Sequence, residues 1–511
     1  MVESRTLNSI RNSGMSALAQ IVSIILNFVG RTFFIKFLNI EYLGINGLFT
    51  NILTLLSLAE LGVGTAITYM MYEPIAKGNI RKIAAYNQLF RKIYNIIGCF
   101  VFVAGLCIAP FLTDIIKEAP DVKENLYVIY ILFLLNTSVS YFFTYKRSLL
   151  IAHQKEYLNS KNVILFAIIK DVVLIIVLIF SRNYYIYLIA QIIITYLSNW
   201  AISRVANKVF PEIVKIKNEK ISKSEKLIIA KNTMGMVCHK IGSVVVSGTD
   251  NILISSFVGI NAVGIFSNYK LIQKVSNQVI SQAVNAVTAS VGNLVASADN
   301  NKVYDIYKKL YFINYTLAFF VAILFYALID SFITIWLGDG FILDFWSMIF
   351  VSINLFFNQI RIPSQIIINS YGVFWEVKWK SIVEAVINLS SSLFFVYFWN
   401  LGMSGILLGT IVSNLTTNLW WEPYAAYRFG MHKPVKEYMY MFMRDLLVFG
   451  TALIIVSLSN KCLREFLHNS WLLLFAQLIS ALIISVLIFV AIYSRSTGFR
   501  FLLENANKLK K

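Results

Sequence analysis

Apolar stretches of membrane-spanning length fill most of this chain and leave little sequence for a water-soluble domain. A helix needs about 20 mostly apolar residues to cross a bilayer. Only 14% of the 511 residues are charged and 58% are hydrophobic, whereas about 25% of the residues in soluble domains are charged. Candidate spans lie near 12–37, 43–72, 83–112, 125–150, 162–181, 184–205, 228–257, 262–294, 305–336, 345–370, 376–398, 404–425, 441–460 and 470–494. The sequence therefore predicts an all-α polytopic membrane protein with about 14 transmembrane helices.

The Lys and Arg residues between these spans are divided very unequally between the two sides of the membrane. With the N-terminus in the cytoplasm, most of the 45 fall on the cytoplasmic side. The opposite side holds only Lys36, Lys117, Lys123, Arg182, Lys461 and Arg464. Because cytoplasmic loops are rich in Lys and Arg, this distribution predicts cytoplasmic N- and C-termini. It also accounts for the net charge of +19 without nucleic-acid binding.

The first and seventh spans are similar when the sequence is shifted by 220 positions. Arg11-Asn12-Ser13 then aligns with Lys231-Asn232-Thr233, and Leu43-Gly44-Ile45 aligns with Val263-Gly264-Ile265. A repeat unit of six helices inserts both copies in the same orientation, which predicts a pseudo-two-fold axis along the membrane normal. The predicted domains are an N-terminal lobe at 1–205, a basic cytoplasmic linker at 206–227, a C-terminal lobe at 228–430, two extra helices at 431–495 and a basic tail at 496–511.

Two segments resemble a known family. The first is NSGMSALAQIVSIILNFVGRTFFIKFLNIEYLGINGLFTNILTLLSLAELGVGTAI, and the second is SGTDNILISSFVGINAVGIFSNYKLI. Both resemble bacterial Wzx-type oligosaccharide flippases of the multidrug/oligosaccharidyl-lipid/polysaccharide (MOP) exporter superfamily, most specifically over 10–75 and 230–275. The two extra C-terminal helices are similar to those of the lipid II flippases in that superfamily.

This resemblance implies a function in surface polysaccharide biosynthesis. It implies two six-helix lobes around a partly cationic cavity in the bacterial cytoplasmic membrane. The expected substrate is an undecaprenyl-pyrophosphate-linked oligosaccharide, carried from the inner to the outer leaflet by alternating access. It further implies coupling to a sodium gradient, a proton gradient or the membrane potential. The expected partners are membrane lipids, a polysaccharide polymerase and glycosyltransferases.

Several cations fall deep inside the predicted spans, where an unpaired charge costs about 2.5–3.5 kcal/mol. Lys170 lies near a helix end beside Asp171, and Lys36 lies at an outer helix end, so both are interpreted as structural. We expect the remaining cluster to form a cationic, substrate-binding cavity, because Arg and Lys both suit a pyrophosphate. Its members are Arg31, Lys240, Lys270 and Lys274.

Polar residues extend this predicted cavity along two helices. Lys270 and Lys274 share one face of the eighth span, and the same face continues to Asn277 and Ser281. These residues form a polar stripe along the helix. The alternative role of this stripe is hydrogen bonding between helices. In the second span, Asn46, Thr50, Ser57 and Glu60 fall near one face. Glu60 is a candidate for coupling by proton uptake, with a structural ion pair as the alternative.

Asp250 stands in the apolar run SGTDNILIS, where a carboxylate is unexpected. In the repeat alignment it falls on Gly30, next to the position of Arg31. We expect Asp250 to face the lobe interface and to interact with Arg31 or Lys270. Three roles remain open for it: an outer gate, a proton or sodium site, and a permanent structural ion pair.

The tenth span carries Arg361 shortly before Pro363, which should kink the helix. Arg361 is either a cation beside a hinge or a side chain that snorkels to the interface. Glu384 and Glu422 have no obvious partner in the sequence.

The sequence does not predict an enzyme, a metal site or a cofactor. No paired carboxylates or nucleophile–His arrangement are visible, the four Cys form no CxxC pair, and the four His are scattered. The alternatives to a flippase are a membrane-embedded polysaccharide polymerase or ligase, which needs acid or base groups near a long outer loop, and a multidrug exporter of the same superfamily. Exporters of organic cations favour acidic cavities, whereas this one is rich in cations.

Overall fold

The computed structural model describes residues 5–509 except 61–62, 118–119, 217–218, 220, 223–226, 228–247, 298–299 and 374. The regular structure of this described part is helical. Its α-helices are α1 (Arg5–Phe37), α2 (Ile40–Leu56), α3 (Val63–Ala76), α4 (Ile80–Ile108), α5 (Leu112–Ile115), α6 (Leu126–Tyr141), α7 (Thr144–Ala152), α8 (Glu156–Phe180), α9 (Tyr184–Val209), α10 (Pro211–Lys215), α11 (248–257), α12 (Ile260–Ser297), α13 (Asn300–Leu337), α14 (Phe345–Ile360), α15 (Ile362–Tyr371), α16 (Lys380–Trp399), α17 (Gly402–Ser413), α18 (Leu419–Ala425), α19 (Lys436–Phe466), α20 (Ser470–Tyr493) and α21 (Thr497–Leu509).

Most predicted spans coincide with helices in the described part of the chain, although 125–150 is divided between α6 and α7. Ten helical segments in the described part of the chain are long and apolar enough to cross a membrane. Four of the fourteen predicted spans are not among these ten segments. The span 228–257 lies largely outside the described residues, and 262–294 is the continuous helix α12. The span 404–425 is interrupted by a π-helical segment at Asn414–Asn418.

The fourth departure is the predicted single helix over 43–72. Here α2 ends at Leu56 and is followed by a 3₁₀ turn, Ser57–Glu60, before α3 begins at Val63. The Ser57 hydroxyl donates to the Leu53 carbonyl at 2.8 Å, and the Ser57 backbone N–H donates to the same carbonyl at the end of α2. The prediction of a single helix over 43–72 is therefore wrong, and Ser57 and Glu60 lie in the turn that follows α2.

The described residues divide into two compact units, Met1–Gly264 and Ile265–Lys511. In the first unit α1 packs against α8, α8 against α9, and α6 against α4 and α9. Its core is formed by fully buried side chains such as Phe49, Phe90, Tyr130 and Leu134. The predicted lobe boundary at 206–227 rests on the sequence repeat and stays a prediction.

In the second unit the long helix α13 is central. It packs against α14 and against the two additional C-terminal helices, α19 and α20, while α16 and α17 form a tightly packed pair. Asp344 caps α14 by accepting from the Ser347 backbone N–H at 3.0 Å. Burial raises the pKa of the Asp344 carboxyl, but hydrogen bonds from Ser347 and Ser404 lower it further, so the net pKa lies below its usual value.

Residues that the repeat makes equivalent meet in the first unit. A Cβ on Gly44 would lie 2.1 Å from the Ile260 carbonyl oxygen, and one on Gly264 would lie 2.6 Å from the Ile40 carbonyl oxygen. The Asn261 amide also donates to Glu41, 220 positions earlier, at 3.4 Å. Reciprocal contacts of this kind are what a local two-fold relation requires. Glycine is needed at both positions because any side chain would strike backbone.

Candidate functional site

The two lysines predicted in the eighth span lie one turn apart on α12 and have different surroundings. Lys270 is half-buried, and its ammonium lies 5.0 Å from the centre of the Phe266 ring. Lys274 is exposed. An ammonium facing hydrocarbon would cost about 2.5–3.5 kcal/mol. An exposed lysine in this helix is therefore compatible with water or polar groups around it, and not with lipid tails.

The stripe continues from these lysines to a contact with α14. Asn277 is half-buried, and its side-chain oxygen accepts a hydrogen bond from the Gln359 amide. This contact fits the alternative of hydrogen bonding between helices for that position. Lys240 and the side chain of Ser281 lie outside the described residues.

The polar residues predicted in the second span fall into two groups. Asn46 is half-buried and Thr50 is exposed, and the Thr50 hydroxyl lies 3.5 Å from the Asn46 side-chain oxygen. Ser57 lies in the 3₁₀ turn, where it accepts from the Tyr141 hydroxyl at 2.8 Å. Glu60 accepts from the Tyr94 hydroxyl at 2.8 Å. Ser57 and Glu60 are thus held by tyrosines of α6 and α4, partners that the sequence did not indicate.

Arg31 lies near the α1–α8 contact of the first unit. The Tyr187 side chain interacts electrostatically with both Arg31 and Asp171. Asp171 also packs on α1, where a Cβ on Gly30 would lie 3.3 Å from its Oδ2 atom. Asp171 therefore packs against α1 at Gly30, the neighbour of Arg31, and lies next to Lys170 in the sequence.

Asp250 is buried, with 4% of its surface exposed. It lies on α11, which packs against α2 so closely that a Cβ on Gly248 would lie 2.7 Å from Leu55 Cδ2. An orientation toward lipid is excluded by this burial. The interaction of Asp250 with Arg31 or Lys270 stays a prediction.

A buried ion network occupies the second unit, and sequence reasoning missed it. The Arg361 guanidinium donates twice to Glu422, from Nη2 at 2.5 Å and from Nε at 3.0 Å. The Lys380 ammonium lies 2.9 Å from Glu422 Oε1 and 3.0 Å from Glu384 Oε2. Asn418 accepts from Lys380 at 2.7 Å and donates to Glu384 at 2.7 Å. Two cations and two carboxylates therefore neutralise each other inside the unit.

This network corrects the predictions for the tenth and later spans. The Arg361 side chain is only 12% exposed and is bound to Glu422, so it does not snorkel to the interface. The kink predicted at Pro363 corresponds to an interruption of the helix, because α14 ends at Ile360 and α15 begins at Ile362. One signal was present in the sequence: Lys380 and Glu384 are four positions apart on one helix, the spacing of a favourable ion pair.

Irregular helical turns accompany the network. Asn414–Asn418 and Ala426–Met431 are π-helical, and they flank the short helix that carries Glu422. Asn418 donates to Asn414 at 2.7 Å, four residues earlier, so the first π segment is stabilised by the same polar contacts. Such π turns occur often at functional sites. Within the described residues, no group of three His, Cys, Asp or Glu is placed to hold a metal ion.

The comparison with known families decides the class of the protein. The model of a family described as "Polysaccharide biosynthesis protein" matches residues 9–289, more than half of the chain. The chain belongs to this family. None of the curated proteins searched matches it.

Several solved structures are similar to this family member. An inward-facing multidrug resistance MATE family transporter of the MOP superfamily has a TM-score of 0.60 at 15% identity, over 80% of this chain and 94% of that chain. The lipid II flippase MurJ, in an inward closed conformation, has a TM-score of 0.61 at 14% identity, over 94% and 98%. A MOP superfamily transporter from Pyrococcus furiosus has a TM-score of 0.56 at 12% identity, over 84% and 96%.

These similarities establish the fold of the family member and confirm that it resembles the fold of MOP superfamily transporters. At such low identity they carry no information on substrate. Together with the ten apolar helical segments, they make the chain a multi-pass membrane protein of a polysaccharide biosynthesis family with a MOP-type fold.

Proposed function

We propose that this protein is a flippase that moves an undecaprenyl-pyrophosphate-linked oligosaccharide from the inner to the outer leaflet of the bacterial cytoplasmic membrane. It acts by alternating access and is not an enzyme. Its termini are cytoplasmic, in keeping with the distribution of Lys and Arg. Its product supplies a polysaccharide polymerase, and its substrate comes from glycosyltransferases.

The observation that carries the proposal is the exposed ammonium of Lys274 on α12, one turn from Lys270. A pyrophosphate is an anion that must cross a region of low dielectric, where its charge has to be offset. An ammonium that is accessible in a helix of a membrane protein can approach that anion directly. The buried pair of Arg361 and Glu422 cannot do so, because the guanidinium is already bound. Family membership supplies the second support, since a polysaccharide biosynthesis protein handles glycan precursors.

The remaining candidate residues have supporting roles in this proposal. Arg31 and Lys240 contribute further positive charge, while Asn46, Thr50, Ser57, Asn277 and Ser281 offer hydrogen-bond partners to glycan hydroxyls. Coupling to a sodium gradient, a proton gradient or the membrane potential is assigned to Asp250 and Glu60, the two acidic candidates. The prenyl chain stays in lipid and needs no polar site.

The proposal is tested by deleting the gene and locating the lipid-linked intermediate. We expect single oligosaccharide units on the prenyl carrier to accumulate at the inner leaflet, inaccessible to glycosidase or lectin added outside spheroplasts. Restoring the wild-type gene should return surface polysaccharide and remove the accumulated intermediate.

Two other outcomes would replace the proposal. Long lipid-linked polymer at the outer leaflet would indicate a polymerase or ligase defect. Normal polysaccharide with altered drug susceptibility would indicate a multidrug exporter. The length of the extracted lipid-linked glycan, together with its accessibility to glycosidase before extraction, identifies a polymerase or ligase defect, and a drug-susceptibility assay identifies an exporter.

A further inference from the structure

The first of the two additional C-terminal helices is linked by polar contacts to α12 in the second unit. The Arg464 guanidinium of α19 lies 3.1 Å from Asp330 Oδ2 on α13. The other carboxylate oxygen, Oδ1, accepts from the Tyr269 hydroxyl of α12 at 3.0 Å. Tyr269 in turn accepts from the Leu343 backbone N–H at 3.1 Å. One carboxylate therefore joins three helices.

Burial makes this connection specific. Tyr269 is fully buried and Asp330 is 5% exposed, so neither can exchange its partner for bulk water without cost. Around the same turn of α13, Asn460 donates to the Ala327 carbonyl at 2.9 Å and Ser331 donates to Gln477 at 2.6 Å. The additional helices α19 and α20 are thus anchored to one short stretch of α13, and Asp330 extends that anchor to α12.

The connection also constrains two lysines of α12, because Tyr269 lies close to them in the sequence. Tyr269 directly precedes Lys270 and lies just over one turn before Lys274. In a helix each residue is rotated by about 100° from the one before it, so fixing the Tyr269 ring fixes the direction in which both lysines point.

A cleft next to Arg464 makes one side of the connection accessible to water. It has a volume of about 210 Å³ and is lined by Asp330, Arg464, Thr334 and Ser470, among other residues. This is larger than the roughly 30 Å³ that one water molecule occupies in the liquid. The Arg464 side chain is 44% exposed, so the guanidinium can be hydrated while the carboxylate stays buried.

We propose that Arg464 is a positioning residue: through Asp330 and Tyr269 it sets the rotation of α12, and with it the direction of Lys270 and Lys274. The additional helices therefore act on the predicted substrate-binding helix, although they lie outside the six-helix repeat. The assignment of Lys270 and Lys274 to substrate rests on the proposed function, but the positioning itself does not.

The chain contains a matched control at the other end of α19. Arg444 lies 2.8 Å from Asp445, a carboxylate that is fully buried, as Asp330 nearly is. The Tyr493 hydroxyl of α20 donates to Asp445 at 2.5 Å. This arrangement also combines an arginine, a buried aspartate and a tyrosine, but its tyrosine belongs to α20 instead of α12. A general loss of stability should affect both arrangements, and a loss of positioning only the first.

The test measures the reactivity of a thiol placed on α12. The reporter thiol is introduced by Lys270→Cys at a half-buried position. The four native cysteines are replaced by Ser: Cys99, Cys107, Cys238 and Cys462. The purified protein is labelled with a hydrophilic maleimide, and no substrate is needed. We expect Arg464→Met and Tyr269→Phe each to raise the labelling rate by about fivefold or more, because a hydrogen bond to a charged group is lost.

Three comparisons decide the result. The double variant should label no faster than either single one, because both changes break the same connection. Arg464→Lys should restore most of the wild-type rate, and Arg444→Met should leave it unchanged. Tyr269→Phe removes only a hydroxyl, so it provides the test even if Arg464→Met does not fold. An unchanged rate in folded Tyr269→Phe protein, or an equal rise in Arg444→Met, would overturn the proposal. Neither result depends on flippase activity, so failure of the proposed function is detected separately.

Discussion

Cations in the second unit differ in whether neighbouring carboxylates neutralise their charge. Arg361 and Lys380 are buried, and each is bound to a carboxylate on another helix. Lys274 is exposed on α12, and no salt bridge holds it among the described residues. Under the proposed function, the difference separates charge that stabilises the fold from charge that can bind an anionic ligand. A cation inside a predicted span is therefore evidence for a substrate site only after its partners are known.

The largest effect is expected from Glu422→Gln. This change leaves Arg361 and Lys380 buried with one carboxylate, Glu384, between them. Removing one partner of a buried ion pair typically costs about 3–5 kcal/mol. We expect a lower thermal unfolding temperature in detergent and a reduced yield of monodisperse protein, measured by size exclusion with a fluorescent tag.

Glu73→Gln is the control for that change. Glu73 forms an ion pair with Lys77 at 2.6 Å, but its side chain is 68% exposed, and exposed pairs contribute little. Equal unfolding temperatures for the two variants would contradict the structural role of the network. Replacing all four charged members together, as Arg361→Met, Lys380→Met, Glu384→Met and Glu422→Met, should recover part of the loss, since apolar side chains can replace a buried ion group.

The second effect is a loss of transport without a loss of stability. Lys274→Ala removes a charge-assisted contact, which is typically worth about 1.5–3 kcal/mol. We expect surface polysaccharide in a complemented deletion strain to fall by roughly tenfold or more, with Lys274→Arg retaining most of it. Lys308→Ala, which removes an exposed lysine paired with Asp305 on α13, should leave export unchanged. Full export by Lys274→Ala would place Lys274 with the structural cations.

A smaller loss of stability is expected from Asn418→Ala. The Asn418 amide accepts from Lys380 and donates to Glu384, so its removal leaves both buried charges short of one partner. Lost hydrogen bonds of this kind cost about 1–3 kcal/mol. Thermal unfolding should place this variant between wild type and Glu422→Gln, and an unfolding temperature equal to wild type would mean that the amide is dispensable.

The smallest effect is expected from Gln365→Leu. Its amide lies 3.4 Å from Glu422 Oε2, at the long end of the range for a hydrogen bond. Glu422 keeps its contacts with Arg361 and Lys380, so the unfolding free energy should change by less than about 1 kcal/mol. A loss as large as that of Asn418→Ala would show that the network extends further than its ion pairs.

The helices of this protein could be predicted from the sequence because the bilayer imposes a length and a polarity on each one. The repeat was also visible, and the contacts between Gly44 and Ile260 and between Gly264 and Ile40 agree with it. The break after α2 was not predicted. The 3₁₀ turn Ser57–Glu60 is polar only in part and resembles a continuing helix by hydropathy alone.

Most of the buried ion network could not be predicted, because only the Lys380–Glu384 pair lies within one helix and the other ion pairs join different helices. Arg361 and Glu422 are 61 positions apart. Neither sequence segment contains a signal that identifies the other residue as its partner. Glu60 and Ser57 show the same limit, since their partners Tyr94 and Tyr141 read as ordinary aromatic residues of apolar spans. Residue types therefore indicated that charge was buried, while packing determined which charges meet.

The central claim is that the exposed lysine of α12 offsets the charge of a lipid-linked pyrophosphate during its passage across the membrane. The most direct measurement is translocation of a labelled undecaprenyl-pyrophosphate-linked oligosaccharide in vesicles that contain the purified protein. Wild-type protein should expose the glycan to an added glycosidase, Lys274→Arg should retain most of that rate, and Lys274→Ala should reduce it by about tenfold or more. Equal rates for wild type and Lys274→Ala, with both proteins folded, would contradict the account.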